Sequence, residues 1–518
     1  MCGLTQSLPY FHGFNGLFLF LFVTQCVLLS IFLALHLAEQ GAVKLKEALF
    51  EIKQFFARKS LKNGQRKRAI VVEIDANVYK FFSRCFCKLQ IFKRLLVEFS
   101  LNLSSSPPSV IMFSTNIIRV TSRNSTSKIG PLCRCSSSTA TSRSWSVTRY
   151  HADLKHSLQL INRPTVPTIY RPSEVLVRVH AASINPLDLS MSRGYGQVLL
   201  SLMNVVSSTG IDRITYDRLP LTLGRDFVGE VLTTGQTVTN FKPGQMVWGT
   251  VSPFADGGSH ADHIVVDESS IWRAPVGVSS VNAASLPYVG LTAWSALVNF
   301  GQLTPQTVAT KRCLVLGGGG GVGAAAAQLL KHWNAHVVVT CSARSAQWLQ
   351  SLVAVDEVVD YRQLAEYLQE CHQESFDLIL DASPPEASSA NLQLISSWRQ
   401  KQLSSRQQPL QKSLPVYLTL TSPLLRNLDS KGIFGGSVAT AFQALTDTAS
   451  GLLDRTSVRW AYYMPNQKAL KCLTELVEAG DIKPQTGLVL PFDQALDAYT
   501  VADQQVKSVD GKVVLKML

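Results

Sequence analysis

Charge is scarce in this 518-residue sequence: only 16% of its residues are Asp, Glu, Lys or Arg, against 46% hydrophobic. Acids are scarcest. From Met112 to Arg149 there is no Asp or Glu, although Arg119, Arg123, Lys128, Arg134, Arg143 and Arg149 all fall there. No charged residue of either sign precedes Glu39, and no cysteine lies between positions 136 and 312. These gaps exclude several classes of protein. The net charge of +13 is concentrated before Arg149. Beyond it no basic stripe with interleaved aromatics appears, so the charge does not point to nucleic acid. The pairs Cys85/Cys87 and Cys133/Cys135 have one residue between them and no histidine at ligand spacing, which disfavours a zinc site. The later cysteines, 313, 341, 371 and 472, are scattered as reduced intracellular thiols are. No Ser/His/Asp set and no carboxylate pair stands out.

The N-terminal third carries two conflicting signals. Leu17 to Leu37 is apolar and long enough to span a bilayer, but lacks the positive flank of a secretory signal. Lys44, Lys46 and Lys53 would keep its C-terminal side in the cytosol if it is an anchor. Residues 112–144 are rich in Ser, Thr and Arg, free of acid, and begin at a methionine, which is transit-peptide composition. One expectation is a start at Met112, with 1–111 an irregular or helical extension upstream. The rivals are a membrane-anchored form and a disordered Ser-rich linker.

The organising stretch is Cys313 to Asp360. An apolar strand-like run, Cys313-Leu314-Val315-Leu316, meets Gly317 to Gly321 and then Val322-Gly323. Ala324 to His332 reads as a helix and His336 to Thr340 as the next buried strand. This is the strand–turn–helix–strand unit of a dinucleotide site, with Gly319, Gly320, Gly321, Val322 and Gly323 at the pyrophosphate. Glycines admit close backbone approach, and the helix start offers N–H donors. An NAD site places an acid about 20 residues further on, for the ribose 2′-hydroxyl. Here Thr340-Cys341-Ser342-Ala343-Arg344 has none. Ser342 can donate a hydrogen bond and Arg344 can supply charge, so NADPH is expected over NADH.

From Trp145 to about Val281 the pattern is β-rich, with alternating strands at Glu174–His180, Asp226–Val231, Met246–Trp248 and His263–Val266 between Gly/Pro turns. Ala181 to Asp188, Leu219 to Asp226 and Phe241 to Val247 resemble segments of the medium-chain dehydrogenase/reductase superfamily, in its zinc-free quinone oxidoreductase branch. Leu286 to Leu297 and Val458 to Met464 carry the resemblance further, to a mitochondrial kind within that branch. It implies an α/β fold: a Rossmann-type parallel-sheet cofactor domain (282–425) inserted into a GroES-like β-barrel catalytic domain (145–281), with 426–518 returning to the cleft.

The resemblance also implies site residues. Zinc relatives carry a ligand Cys near Asn185 and Gly-His-Glu where this chain has Gly224-Arg225-Asp226, and Asn and Arg cannot replace a thiolate and an imidazole. No metal is therefore expected. Tyr361, Leu420, Ala461 and Tyr463 match cofactor-contacting positions. Tyr195 matches a position facing the cleft and Asn185 lies nearby in the chain, so each is a candidate to polarise the substrate, although Asn185-Pro186 also reads as a helix cap. Asp510 stands where relatives have a basic residue. The Gln/Arg/Lys/Ser stretch 396–413 reads as an exposed loop insertion. The expected activity is hydride transfer from NADPH to a quinone-like conjugated carbonyl. The alternatives are an enoyl-thioester reductase and a nucleotide-binding regulator of a reticulon-type membrane partner. Homo-oligomers are common in the superfamily, and nothing in the sequence tests that.

Overall fold

A computed structural model describes residues 141–201, 219–255, 257–371, 375–404, 414–504 and 510–517. The apolar run 17–37, the two early cysteine pairs, residues 112–140 and residues 405–413 lie outside them. Among the described residues no helix is long and apolar enough to cross a membrane.

The fold begins earlier than expected. Strand β1 (Ser142–Val147) pairs antiparallel with β2 (Leu158–Arg163) and β4 (Leu221–Thr222). Arg143, which the composition assigns to the transit-like segment, is part of the folded region. Its guanidinium donates to Asp262 at 3.1 Å and to Asp493 at 2.9 Å. Alternate serines hide the strand in a Ser-rich stretch, but Trp145 and Val147 are buried.

Around β3 (Glu174–Ser183) is built a seven-stranded, mostly antiparallel sheet. It contains β5 (Asp226–Thr234), β6 (Met246–Thr250), β7 (His263–Asp267), β8 (Ile271–Arg273), β15 (Thr486–Pro491) and β16 (Lys512–Lys516). The order is β15-β16-β3-β5-β6-β8, with β7 also on β3. Val175, Val177, Val179, Phe227, Val247, Ile271 and Leu515 form its core. The C-terminal strand β16 thus closes a sheet begun more than 300 residues earlier, and everything between β8 and β15 is an insertion.

That insertion is a six-stranded parallel sheet: β9 (Arg312–Leu316), β10 (His336–Cys341), β11 (Glu357–Asp360), β12 (Leu378–Asp381), β13 (Val416–Thr419) and β14 (Ser457–Trp460). The order β11-β10-β9-β12-β13-β14 is that of a doubly wound dinucleotide fold, with the switch point beside β9. β9 and β10 are buried almost throughout, as a sheet covered on both faces requires. The helices that matter to the site are α1 (Pro186–Ser192), α2 (Pro287–Trp294), α3 (Gly321–His332), α4 (Ala343–Leu352), α5 (Pro385–Ser404) and α6 (Leu424–Leu453), the last broken at Gly432 by a φ of +71°.

Two boundaries differ from expectation. The cofactor domain runs past 425, because α6 leads into β14, which pairs with β13 in the register Val416↔Ser457 to Thr419↔Trp460. A four-residue, half-buried edge strand leaves little periodic signal. The stretch 396–404 is the end of α5 rather than a loop. Ile395 and Trp398, three residues apart, pack with Phe376 and Tyr417, the Trp398 ring 5.9 Å from Phe376. One apolar stripe in an otherwise polar stretch gives little helical periodicity.

Candidate active site

Four backbone contacts shape the glycine turn. Gly317, at φ +79°, donates its N–H to Thr340 Oγ1 at 3.2 Å, and Gly318 donates to the Thr340 carbonyl at 2.8 Å. Gly320 N–H closes the turn on the Gly317 carbonyl at 3.0 Å, and α3 starts at the next residue. A Cβ on Gly323 would stand 2.4 Å from the Gly317 oxygen, so strand end and helix start touch backbone to backbone. The first N–H groups of α3 have no acceptor within the helix. Together with the dipole they could hold an anion such as a pyrophosphate. Ser345, which carries no signal in the sequence, has its side chain 3.2 Å from where a Cβ on Gly319 would be, placing a hydroxyl beside the turn.

Where β10 meets α4, Ser342 is the N-cap of the helix, accepting the Ser345 N–H at 3.2 Å and sharing a hydroxyl–hydroxyl bond of 3.0 Å with it. The sequence offers no acid in this segment, but folding brings two beside it. Asp510 pairs with Arg344 at 3.1 Å. Asp360 lies opposite Cys341 in the sheet register, and the Arg362 guanidinium and backbone N–H hold its pKa down to about 2. Two carboxylates therefore face two arginines. Tyr361 is 58% exposed beside them, free to meet a ligand.

The barrel side of the cleft is a buried polar network centred on Asp226. Its carboxylate accepts from Ser183 Oγ (2.6 Å), Asn185 Nδ2 (2.8 Å), Lys512 Nζ and the Tyr288 backbone N–H. Lys512 also donates to Asn185 Oδ1 at 2.8 Å. An ammonium can only donate and a carboxylate only accept, so the orientation of the Asn185 amide is fixed chemically. One N–H of that amide is left over. Asn185 is also the N-cap of α1, its backbone N–H donating to Asp188 at 2.8 Å. Asp188 and Arg225 form a second, wholly buried pair at 3.7 Å, and burial lowers the Arg225 pKa against the pull of Asp188. Beneath them His260 is held neutral by burial. Its Nδ1 lies 2.7 Å from Tyr499 Oη and its Nε2 3.2 Å from the Ser183 carbonyl. A carbonyl only accepts, so Nε2 carries the proton and Nδ1 accepts from the tyrosine.

Tyr288 and Tyr463 stack at 4.7 Å with an 18° tilt, and Tyr463 Oη is 2.7 Å from Thr250 Oγ1. Burial raises both phenol pKa values, so both rings stay neutral. Leu420 and Ala461 follow the carboxyl ends of β13 and β14, their N–H groups bonded to the Asp381 and Thr419 carbonyls. This is the side where open α/β sheets bind ligands. Tyr195 lies on a turn between Gly194 and Gly196, both at positive φ. Burial raises its pKa, opposed by Arg426 and reinforced by Asp429.

Residues 171–276 match the alcohol dehydrogenase GroES-like domain and 321–450 the zinc-binding dehydrogenase family. A Danio rerio protein named NAD(P)H oxidoreductase RTN4IP1, mitochondrial, is 36% identical over 365 residues, spanning 70% of this chain and 88% of its own length. The chain belongs to the RTN4IP1 family of NAD(P)H oxidoreductases. A Caenorhabditis elegans relative, named reticulon-4-interacting protein 1, mitochondrial, is 31% identical over 68% of this chain and 90% of its own. The solved quinone oxidoreductase of Coxiella burnetii has the same fold, with a TM-score of 0.54 at 23% identity over 73% of this chain and 100% of that one. This RTN4IP1-family chain is thus an oxidoreductase of the medium-chain dehydrogenase/reductase superfamily.

The zinc named in the second domain family does not fit here. At Asn185 and Arg225 the chain has an amide clasped by the Lys512 ammonium and a buried guanidinium, and these two cationic groups, Lys512 and Arg225, would repel a dication. Among the described residues no group of three or more His, Cys, Asp or Glu is arranged to hold a metal ion. The nicotinamide cofactor does fit. The glycine cradle, the charged adenosine end and the strand-end positions Leu420 and Ala461 lie along one side of the parallel sheet.

Proposed function

We propose that this chain is an NADPH-dependent reductase of quinone-like conjugated carbonyls and works without a metal. When bound, the nicotinamide supplies the hydride. The observation that carries this reading is the Asn185–Asp226–Lys512 network, a hydrogen-bonded polar site standing where the superfamily's metal chemistry would be. Gly319 to Gly323 hold the pyrophosphate, Ser342, Arg344 and Tyr361 the adenosine end, and Leu420, Ala461 and Tyr463 the nicotinamide end. Asn185 and Tyr195 donate hydrogen bonds to the substrate oxygen as charge grows there. The stacked Tyr288 and Tyr463 offer a flat neutral wall suited to a planar acceptor. We place the protein in the mitochondrion, with 112–140 as its targeting segment, and a reticulon-type membrane protein as a partner. An enoyl-thioester substrate would use the same groups and is the competing acceptor.

NADPH preference rests on Arg344, and Asp510 opposes it. Arg344→Ala is expected to weaken binding of 2′,5′-ADP about tenfold or more while leaving 5′-AMP within about twofold, since a charged hydrogen bond to phosphate is lost. Asp510→Asn should do the reverse, tightening 2′,5′-ADP a few-fold by freeing the guanidinium from a weak surface pair. Titration calorimetry on the full chain reads both. Equal effects on the two nucleotides would remove Arg344 from the 2′-phosphate site and favour NADH.

A further inference from the structure

The turn that carries Tyr195 belongs to the barrel side, yet it is held by the cofactor domain. Asp429, on α6, accepts the Gly196 N–H at 2.6 Å and the Val198 N–H at 3.1 Å, one carboxylate oxygen for each. Leu425, one helical turn earlier, lies 3.5 Å from where a Cβ on Gly196 would be. Arg426 and Asp429 both act on the Tyr195 phenol. Among the described residues no other side chain accepts from these two amides. Hydrogen bonds from neutral N–H groups to a carboxylate are about twice as strong as neutral ones, and two from one carboxylate fix direction as well as distance.

We propose that Asp429 is a positioning residue, a clasp by which helix α6 of the cofactor domain holds the Tyr195 turn in place over the substrate side of the cleft. Gly194 and Gly196, both at positive φ, allow the turn its shape without fixing it. The Gly194 and Tyr195 N–H groups are tied to the Met191 and Ser190 carbonyls of α1, at 3.0 and 3.1 Å, so the clasp fixes the other flank, where Gly196 would otherwise be free. A hydroxyl displaced by about 1 Å can cost on the order of a hundredfold in rate. The clasp also gives a physical reason for α6 itself: it spans from the parallel sheet to the barrel's substrate turn. The proposal rests on the reading of Tyr195 as a substrate-polarising group.

The test is Asp429→Asn in the full chain, with Asp429→Glu as the conservative rescue and Tyr195→Phe as the background. Asparagine keeps the size but turns one acceptor into a donor that faces an N–H. Hydrogen exchange of the segment containing Gly196 and Val198 should accelerate about tenfold or more in Asp429→Asn, and stay near the parent rate in Asp429→Glu, if a charged hydrogen bond is what protects it. The kcat/KM for 1,4-naphthoquinone should fall about tenfold to a hundredfold while the Kd for NADPH moves less than about twofold. In the Tyr195→Phe background the same substitution should cost less than about twofold, because the two act as a unit. Unchanged exchange, an equal loss of NADPH affinity, or full multiplication of the two effects would overturn the clasp. If Tyr195→Phe alone leaves turnover untouched while exchange still accelerates, the clasp stands as structure and the role given to Tyr195 fails.

Discussion

Gly323→Ala is expected to weaken cofactor binding about a hundredfold in Kd, the scale of losing one or two hydrogen bonds to a charged group. The reason is backbone against backbone. The new Cβ would stand 2.4 Å from the Gly317 oxygen and 2.9 Å from Gly318 Cα, and no side chain can swing away to relieve it. The turn must open. The N–H groups at the start of α3 then move away from the pyrophosphate they would hold. Overpacking of this kind also costs about 1–3 kcal/mol of stability. Binding is read by nicotinamide fluorescence and stability by urea unfolding. A variant that binds NADPH as the parent does would mean the cradle is elsewhere.

Lys512→Met should be the most damaging substitution to the barrel side. Asp226 is fully buried and Lys512 is its only cationic partner among the described residues. Removing one member of a buried pair leaves an uncompensated charge, at a cost of about 3–5 kcal/mol. Asn185 loses the donor that fixes its amide, so quinone turnover should fall with stability. The double variant Lys512→Met/Asp226→Asn removes both charges and should recover part of the unfolding free energy without recovering turnover. Urea midpoints of the two variants decide this. A loss below about 1 kcal/mol in the single variant would put the pair in the class of surface ion pairs.

Much of the site was legible in the residues because the cofactor domain is locally encoded. Strand, glycine turn, helix and next strand occupy the 30 consecutive residues from Arg312 to Cys341, and their periodicities change where the structure changes. The barrel needed more than periodicity, since β16 joins β3 from over 300 residues away. What stayed hidden came from such distant pairings. The resemblance already marked Asp510, but its pairing with Arg344 and the place of Asp360 opposite Cys341 come only through folding. Asn185 was readable both as a helix cap and as a substrate donor, and the structure shows its backbone capping α1 while its side chain joins Asp226 and Lys512. Lys512 carried no local signal. It is one lysine in a final strand, and its meaning depends on the carboxylate it meets.

The central claim, metal-free hydride transfer from NADPH to a quinone-like acceptor, is tested most directly by one anaerobic measurement. Full-length protein treated with a chelator is mixed with NADPH, with and without 1,4-naphthoquinone, and nicotinamide absorbance is followed. The account predicts quinone-dependent oxidation of NADPH at a rate unaffected by chelation, slowed when the transferred hydrogen is deuterium. NADPH binding without quinone-dependent turnover, or turnover that disappears on chelation and returns with zinc, would contradict it.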